Sequence, residues 1–210
     1  MKISIVAATG KIGRNIVQQA LLKGHDVTAI VRSDKDLPAE LKGAKVAVAA
    51  LEKASLAQVL RGQDAVISAY GPTPEATAAL SDTARTLIAA VREAGLRRLV
   101  VVGGAGSLEV APGVQLVDIP EFPAAYKTVA LAHRQALAIY RAASDIDWTF
   151  FSPAAEIGPG ETRGHYRTGE KNLLVDGEGK SRISYGDYAL AVVAEVEQPR
   201  YVQAVATASY

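Results

Sequence analysis

Lys2-Ile3-Ser4-Ile5-Val6-Ala7-Ala8-Thr9-Gly10-Lys11-Ile12-Gly13-Arg14 runs from a β-rich apolar segment through a small-residue turn into a helical stretch. A strand that passes at once through such a turn into a helix presents the first helical amides to whatever lies in front of the turn. Those amides suit a pyrophosphate, provided glycine lets the backbone approach the phosphates and lets the helix pack closely on the strand. Gly10 and Gly13 hold the second and third glycine positions of that dinucleotide fingerprint, and Ala7 stands at the first. Alanine is compatible with the turn if its φ stays negative. Ala7, Thr9, Gly10, Lys11, Ile12 and Gly13 are therefore the first candidate binding residues.

The end of the second strand selects between dinucleotides. A carboxylate about 20 residues after the glycines would accept from the adenosine ribose hydroxyls, whereas an arginine favours a 2′-phosphate. The chain reads Ala29-Ile30-Val31-Arg32-Ser33, with no carboxylate before Asp34. Arg32 and Ser33, helped by Lys11 or Arg14, favour NADP(H) over NAD(H).

The same punctuation then recurs. Leu22-Lys23-Gly24-His25-Asp26, Leu60-Arg61-Gly62-Gln63-Asp64 and Glu93-Ala94-Gly95-Leu96-Arg97-Arg98 each end a helical stretch in glycine before a β-rich run. Glycine supplies the left-handed residue that stops a helix, and runs apolar on both faces suit central strands of a parallel sheet. Strands are predicted near 2–8, 26–31, 45–50, 64–70, 98–103 and 147–152, and helices near 11–23, 55–61, 74–94 and 124–143. The third helix carries a start signal in Thr73 as N-cap, Pro74 at its first position and Glu75 in its first turn. This alternation implies an α/β fold, a doubly wound parallel sheet with right-handed crossovers. No linker or second core boundary interrupts it, so residues 1–210 read as one domain. From Gly158 to Gly179 six glycines and many charges change the texture. Residues 154–210 are therefore expected to form a small C-terminal lobe on the substrate side. Within them Ser184-Tyr185-Gly186-Asp187 reads as a capping box opening a final helix to about Glu197.

Composition narrows the chemistry. The 210 residues contain no cysteine, which excludes disulfides, zinc–thiolate sites, iron–sulfur clusters and a cysteine nucleophile. The three histidines show no metal spacing. Twenty-three basic against 22 acidic residues give no electrostatic case for nucleic acid. The opening apolar run is cut to about six residues by Thr9-Gly10-Lys11, short for a secretory h-region. No stretch approaches the roughly 18 apolar residues that span a bilayer. A cytoplasmic protein without membrane contact, monomeric or homodimeric, is expected.

Further motifs are Gln63-Asp64-Ala65-Val66-Ile67-Ser68-Ala69, Val102-Gly103-Gly104-Ala105-Gly106-Ser107-Leu108, Asp147-Trp148-Thr149-Phe150 with Ser152-Pro153, and Gly179-Lys180-Ser181-Arg182-Ile183-Ser184. With Ala8 to Gly13 and Thr28 to Arg32, they resemble the atypical short-chain dehydrogenase/reductase family over nearly the whole chain. The resemblance is to its NAD(P)H-flavin reductase subgroup, related to biliverdin-IXβ/flavin reductase. It implies a Rossmann fold with a nicotinamide cofactor across the strand carboxyl ends. Ser68, Ala69, Tyr70 and Gly71 would then lie along its ribose and pyrophosphate, with Pro153 near the nicotinamide. Relatives commonly end strand three in Gly-Asp, where the Asp meets the adenine amine. This chain has Ala49-Ala50-Leu51, so Ala50 and Leu51 would border the adenine without that bond.

Dehydrogenases of the wider family use Tyr-x-x-x-Lys, in which the lysine lowers the tyrosine pKa for acid/base work. Here Lys127 follows Tyr126 directly and position 130 is alanine. Adjacent helical residues point about 100° apart, so these two cannot form that pair. Hydride transfer to a flavin asks only that two rings be stacked and oriented. Ser107 is the candidate polar contact to nicotinamide or acceptor, and Tyr126 or Lys127 to ribose or substrate. The proline-containing connection Glu109 to Ala125, with Val114, Leu116, Ile119 and Phe122, is expected to cover the acceptor opposite the 158–170 stretch. His133 lies two turns beyond Tyr126, roughly 10 Å along the helix, and is a secondary candidate. His25 reads as surface and Trp148 as core. The reading is an NAD(P)H-dependent oxidoreductase passing hydride to a flavin, quinone or similar planar acceptor. The alternative is a non-catalytic NADP(H)-binding sensor, with an epimerase or dehydratase behind both.

Overall fold

The computed structural model describes residues 1–73 and 76–210. Along the chain run β1 (Lys2–Val6), α1 (Lys11–Leu22), β2 (Asp26–Val31), β3 (Lys45–Val48), α2 (Lys53–Leu60), β4 (Ala65–Ser68), α3 (Ala79–Glu93) and β5 (Arg98–Val102). A hairpin of β6 (Glu109–Ala111) and β7 (Val114–Gln115) precedes α4 (Ala124–Arg141) and β8 (Asp147–Ser152). Then come β9 (Glu156–Gly158), β10 (Arg167–Glu170), β11 (Arg182–Ser184), α5 (Tyr185–Glu197) and β12 (Ala204–Ser209).

Eight of these strands form one sheet in the order β10-β12-β8-β5-β4-β1-β2-β3. All neighbours are parallel except the edge pair β10 and β12. The fold is the doubly wound, Rossmann-like α/β arrangement. β1 pairs with β2 on one side and β4 on the other, so the winding reverses at β1 and a crevice opens beyond its carboxyl end. The central strands are apolar on both faces because both are covered. Ile3, Ile5 and Ala29 join Ile16 and Val17 of α1 and Tyr188 and Val192 of α5 in one core. Val66, Leu99 and Phe150 join Leu56 of α2, Leu87 of α3 and Leu137 of α4 in the other. Trp148 lies in the second core. No helix among the described residues is long and apolar enough to cross a membrane.

The six predicted strands are present, most ending one or two residues early. Of residues 154–210, β10 and β12 extend the main sheet and α5 packs on its α1 face. β9 and β11 form a separate two-stranded sheet. β12, Ala204-Val205-Ala206-Thr207-Ala208-Ser209, is missing from the predicted set because small residues replace the apolar run of a buried strand. It is nonetheless buried, with Ala206 and Ala208 sharing the core of Tyr188. The helix predicted from 74 starts at Ala79. Pro74 and Glu75 lie outside the described residues, and the Thr73 carbonyl accepts from the Ala76 amide at 2.9 Å ahead of the helix.

Two polar clamps hold the layers together. Arg98 of β5, largely buried, donates to Glu195 of α5 at 2.8 Å and to Thr149 of β8 at 2.8 Å. The Glu195 carboxylate also accepts from the Tyr201 amide at 3.1 Å. His25 is not the free surface residue expected: its Nε2 lies 2.9 Å from Glu197 of α5, which also accepts from Lys23 at 2.8 Å.

Candidate functional site

The turn after β1 carries the first departure from expectation. Ala7 has φ of 58°, not the negative φ that would suit alanine. The backbone takes the left-handed conformation that the fingerprint's first glycine supplies, and Ala7 adopts it at a cost. The carbonyl of Ala7 then accepts from Gly10 at 3.1 Å. A Cβ at Gly13 would stand 2.3 Å from that same oxygen, so the helix can sit this close to β1 only with glycine there. Gly10 is the N-cap of α1 and has no side chain to cap it, and the first turn holds no acidic residue. The leading amides of α1, among them those of Lys11, Ile12 and Gly13, are thus left for an external acceptor, with the positive end of the helix dipole behind them. The turn fits a pyrophosphate.

A cleft of about 480 Å³ continues from this turn across the ends of β2, β3 and β4. Ala7, Thr9, Gly10, Arg32, Leu51, Ala69, Tyr70 and Gly71 all line it. Ile30, Ala49 and Leu56 give it an apolar floor, consistent with a base lying there without a carboxylate. Three expected residues sit differently. Ala50 is exposed and faces away, its amide donating to Ser55 Oγ at 3.2 Å. Ser68 is buried at the end of β4 and faces a narrow gap under α3 and α4. Lys11 points to solvent, so its part is its amide. Arg32 is exposed and forms no ion pair among the described residues, whereas Arg14, its expected helper, lies 3.5 Å from Glu40.

The other end of the crevice lies beyond β5. Gly103-Gly104-Ala105-Gly106 is dictated by packing. A Cβ at Gly103 would meet the Phe150 ring at 2.3 Å, at Gly104 the His133 ring at 2.9 Å, and at Gly106 the Ala130 methyl at 2.7 Å. The backbone therefore lies directly on α4 and β8. In front of it is an apolar cleft of about 460 Å³, walled by Gly104 to Gly106, Leu116, Ile119, Phe122, Pro123, Tyr126 and Val129. The 109–125 connection thus covers this cleft as expected, although Val114 of the hairpin points outward, 41% exposed. A wider cleft of about 730 Å³ adjoins it, sharing Ala105, Tyr126, Ala155 and Glu156, and reaches Pro153, Arg163, Arg182 and Tyr210.

Of the three residues proposed for the chemistry, only Tyr126 borders these clefts. Ser107 is buried in the turn after Gly106, its hydroxyl has no partner among the described residues, and it lines neither cleft. Its carbonyl accepts from Gln115 at 3.2 Å, so the residue shapes the turn from behind. Lys127 is exposed and points away, as its 100° offset from Tyr126 requires. His133, the secondary candidate, is the buried titratable group at the apolar cleft. Burial pushes its pKa down to about 4, keeping the imidazole neutral. It stands edge-on to Phe150, with centroids 6.2 Å apart. Arg163 and Tyr210 also border the wider cleft, and no local pattern marks them, since one sits in a glycine-rich charged run and the other far along the chain.

Solved structures of the same shape exist. A provisionally named exported protein of Burkholderia pseudomallei is 50% identical with 100% of both chains covered and a TM-score of 0.93. A Streptococcus pneumoniae protein provisionally named an NADH-flavin reductase is 34% identical over 100% of this chain and 99% of its own, with a TM-score of 0.90. One from Bacteroides thetaiotaomicron, provisionally named an epimerase, is 38% identical over 100% and 96%, with a TM-score of 0.90. The NAD(P)H-binding family model matches residues 7–199, which take in the turn after β1 and nearly all the residues that line the clefts, and the chain belongs to that family.

Proposed function

We propose that the protein is an NADP(H)-preferring oxidoreductase that passes hydride directly to a flavin, quinone or similar planar acceptor. The observation that carries this reading is that two clefts stand at the strand ends of one sheet: the phosphate turn with a cleft across the ends of β2, β3 and β4, and beyond β5 an apolar cleft of ligand size. Among the described residues no paired acid and base borders the apolar cleft. When bound, the reduced nicotinamide supplies the hydride. The chain's own part is positional: the α1 amides hold the pyrophosphate, Arg32 faces the 2′-phosphate, and Pro153 and Tyr126 border the ring. Leu116, Ile119 and Phe122 exclude water from the acceptor. His133, neutral and buried, offers a polar contact without charge. Ser107, Tyr126 and Lys127 do not amount to an acid/base relay, which speaks against an epimerase or dehydratase. The Streptococcus relative's name, an NADH-flavin reductase, supports the flavin acceptor, while the preference for NADP(H) rests on Arg32 alone. A cytoplasmic place of action, where reduced dinucleotides are supplied, goes with it.

The left-handed Ala7 and the missing acid/base pair also favour a second reading, a sensor that binds NADP(H) and turns nothing over. Titration with NADPH and NADH by fluorescence, then mixing with FMN and with a quinone while nicotinamide absorbance is followed, separates the two. Binding followed by acceptor-dependent oxidation is the expected outcome. Tight binding without oxidation by any acceptor replaces the enzyme with the sensor, and no binding of either nucleotide ends both. Arg32→Glu is expected to raise the KM for NADPH more than that for NADH, and equal effects would remove Arg32 from the 2′-phosphate.

A further inference from the structure

The wider cleft above Pro153 holds a cation that hydride transfer does not call for. Arg163, between β9 and β10, lines this cleft with its guanidinium carbon 4.2 Å from the centre of the Tyr210 ring. It forms no ion pair among the described residues, whereas Arg182 on the same cleft is paired with Asp176 at 3.0 Å. Glu156 and Glu161 also border the cleft, so it is not uniformly basic and any selectivity for an anion rests on Arg163.

The segment around Arg163 is held in place by one buried carboxylate. Asp187, fully buried in the first turn of α5, accepts from the Arg163 amide at 3.0 Å, the Gly164 amide at 2.8 Å, the Tyr210 hydroxyl at 2.6 Å and Ser184 Oγ at 3.0 Å. The Tyr210 hydroxyl in turn accepts from the Ser184 amide at 3.1 Å. Thr162 fills the room left by Gly186, where a Cβ would lie 1.9 Å from its Oγ1. Burial pushes the Asp187 carboxyl up, but the hydrogen bonds outweigh it and hold the group below the usual carboxylate range. The same anion thus fixes the backbone under Arg163 and the ring on which its guanidinium rests. A guanidinium supported by a ring face keeps its donor edge for a ligand, and that edge matches phosphate or carboxylate.

We infer that Arg163 receives an anionic arm of the acceptor whose ring occupies the adjoining apolar cleft, so the acceptor class is a planar ring bearing a phosphate or similar group. The inference rests on the hydride-transfer reading of the site, and its test is separable from that reading. FMN and riboflavin have the same ring and differ in the phosphate. Their binding to the intact protein, to Arg163→Gln and to Arg163→Lys would be measured by quenching of flavin fluorescence at low and high salt, with circular dichroism confirming the fold of each variant. NADPH oxidation by both flavins and by a neutral quinone would be followed separately. FMN is expected to bind about fivefold more tightly than riboflavin at low salt, with the gap closing at high salt. Arg163→Gln should erase the gap and leave riboflavin binding unchanged, while Arg163→Lys retains most of it. Equal binding of the two flavins, equal weakening of both by Arg163→Gln, or no flavin binding would overturn the role of Arg163. NADPH oxidation by the neutral quinone would still uphold hydride transfer in any of those cases.

Discussion

Ala7 spends stability on the shape of the phosphate turn. Its φ of 58° costs a residue with a Cβ roughly 1 kcal/mol or more, and the turn keeps that backbone because Gly13 and Gly10 pack on the Ala7 carbonyl. Ala7→Gly removes the strain and adds some freedom to the unfolded chain. The variant is expected to be more stable by roughly 0.5–1 kcal/mol, read from urea unfolding, and an unchanged or lower midpoint would show that the alanine carries no strain. His133 gives a second residue-scale prediction. Its folded pKa of about 4 lies below the free-chain value, so the folded state binds fewer protons than the unfolded one. Its contribution is therefore neutral above about pH 6.5 and becomes a loss as pH falls, reaching about 2 kcal/mol at pH 5. Unfolding of the protein and of His133→Asn at pH 7 and pH 5 isolates this, since the variant should lack that part of the acid sensitivity. Identical pH dependence would place the imidazole in water.

At the scale of elements, the start of α5 shows how far a local pattern carries. Of the expected capping box, the N-cap half is present: Ser184 Oγ accepts from the Asp187 amide at 3.1 Å. The return bond does not form: the Ser184 amide donates to Tyr210 instead, and Asp187 turns to Arg163, Gly164 and Tyr210. Those partners lie 23 to 24 residues away in sequence, so no window around the helix start contains them. Ser184→Ala is expected to cost about 1 kcal/mol, the ordinary loss of a cap. Asp187→Asn should cost more, about 2 kcal/mol or above, because one amide oxygen cannot serve donors that two carboxylate oxygens now share. Hydrogen exchange should show the amides of Arg163 and Gly164 losing protection in Asp187→Asn and keeping it in Ser184→Ala. Equal protection in both would mean that the loop is held by something else. β12 makes the complementary point. Its residues other than Val205 and Thr207 are alanine or serine, too weak an apolar pattern to read as a buried strand, and burial comes from its place in the sheet, with Ala206 and Ala208 in the core of Tyr188.

Across the whole molecule, Arg98 and Glu195 couple β5, β8, α5 and the turn at Tyr201. Side-chain exposure of 10% and 2% puts the pair almost out of water, so breaking it leaves a buried charge unpaired. Arg98→Met is expected to destabilise the protein by about 3–5 kcal/mol, and Arg98→Met with Glu195→Met to recover much of that, both by urea unfolding. A single variant as stable as the parent would show that Glu195 reaches water. From the residues alone one can read the strand-turn-helix repeat, the close glycine turn after β1 at Gly10 and Gly13, and the lack of a Tyr-x-x-x-Lys pair at Tyr126. All of these depend on residues a few positions apart, whose chemistry and periodicity are local. Folding alone settles that Ser107 lies behind the cleft and His133 at it, that Ala7 takes a glycine's conformation, and that Arg163, Asp187 and Tyr210 meet at one wall. Those outcomes depend on which side chains compete for the same space across the sheet ends, and packing between distant segments resolves that competition.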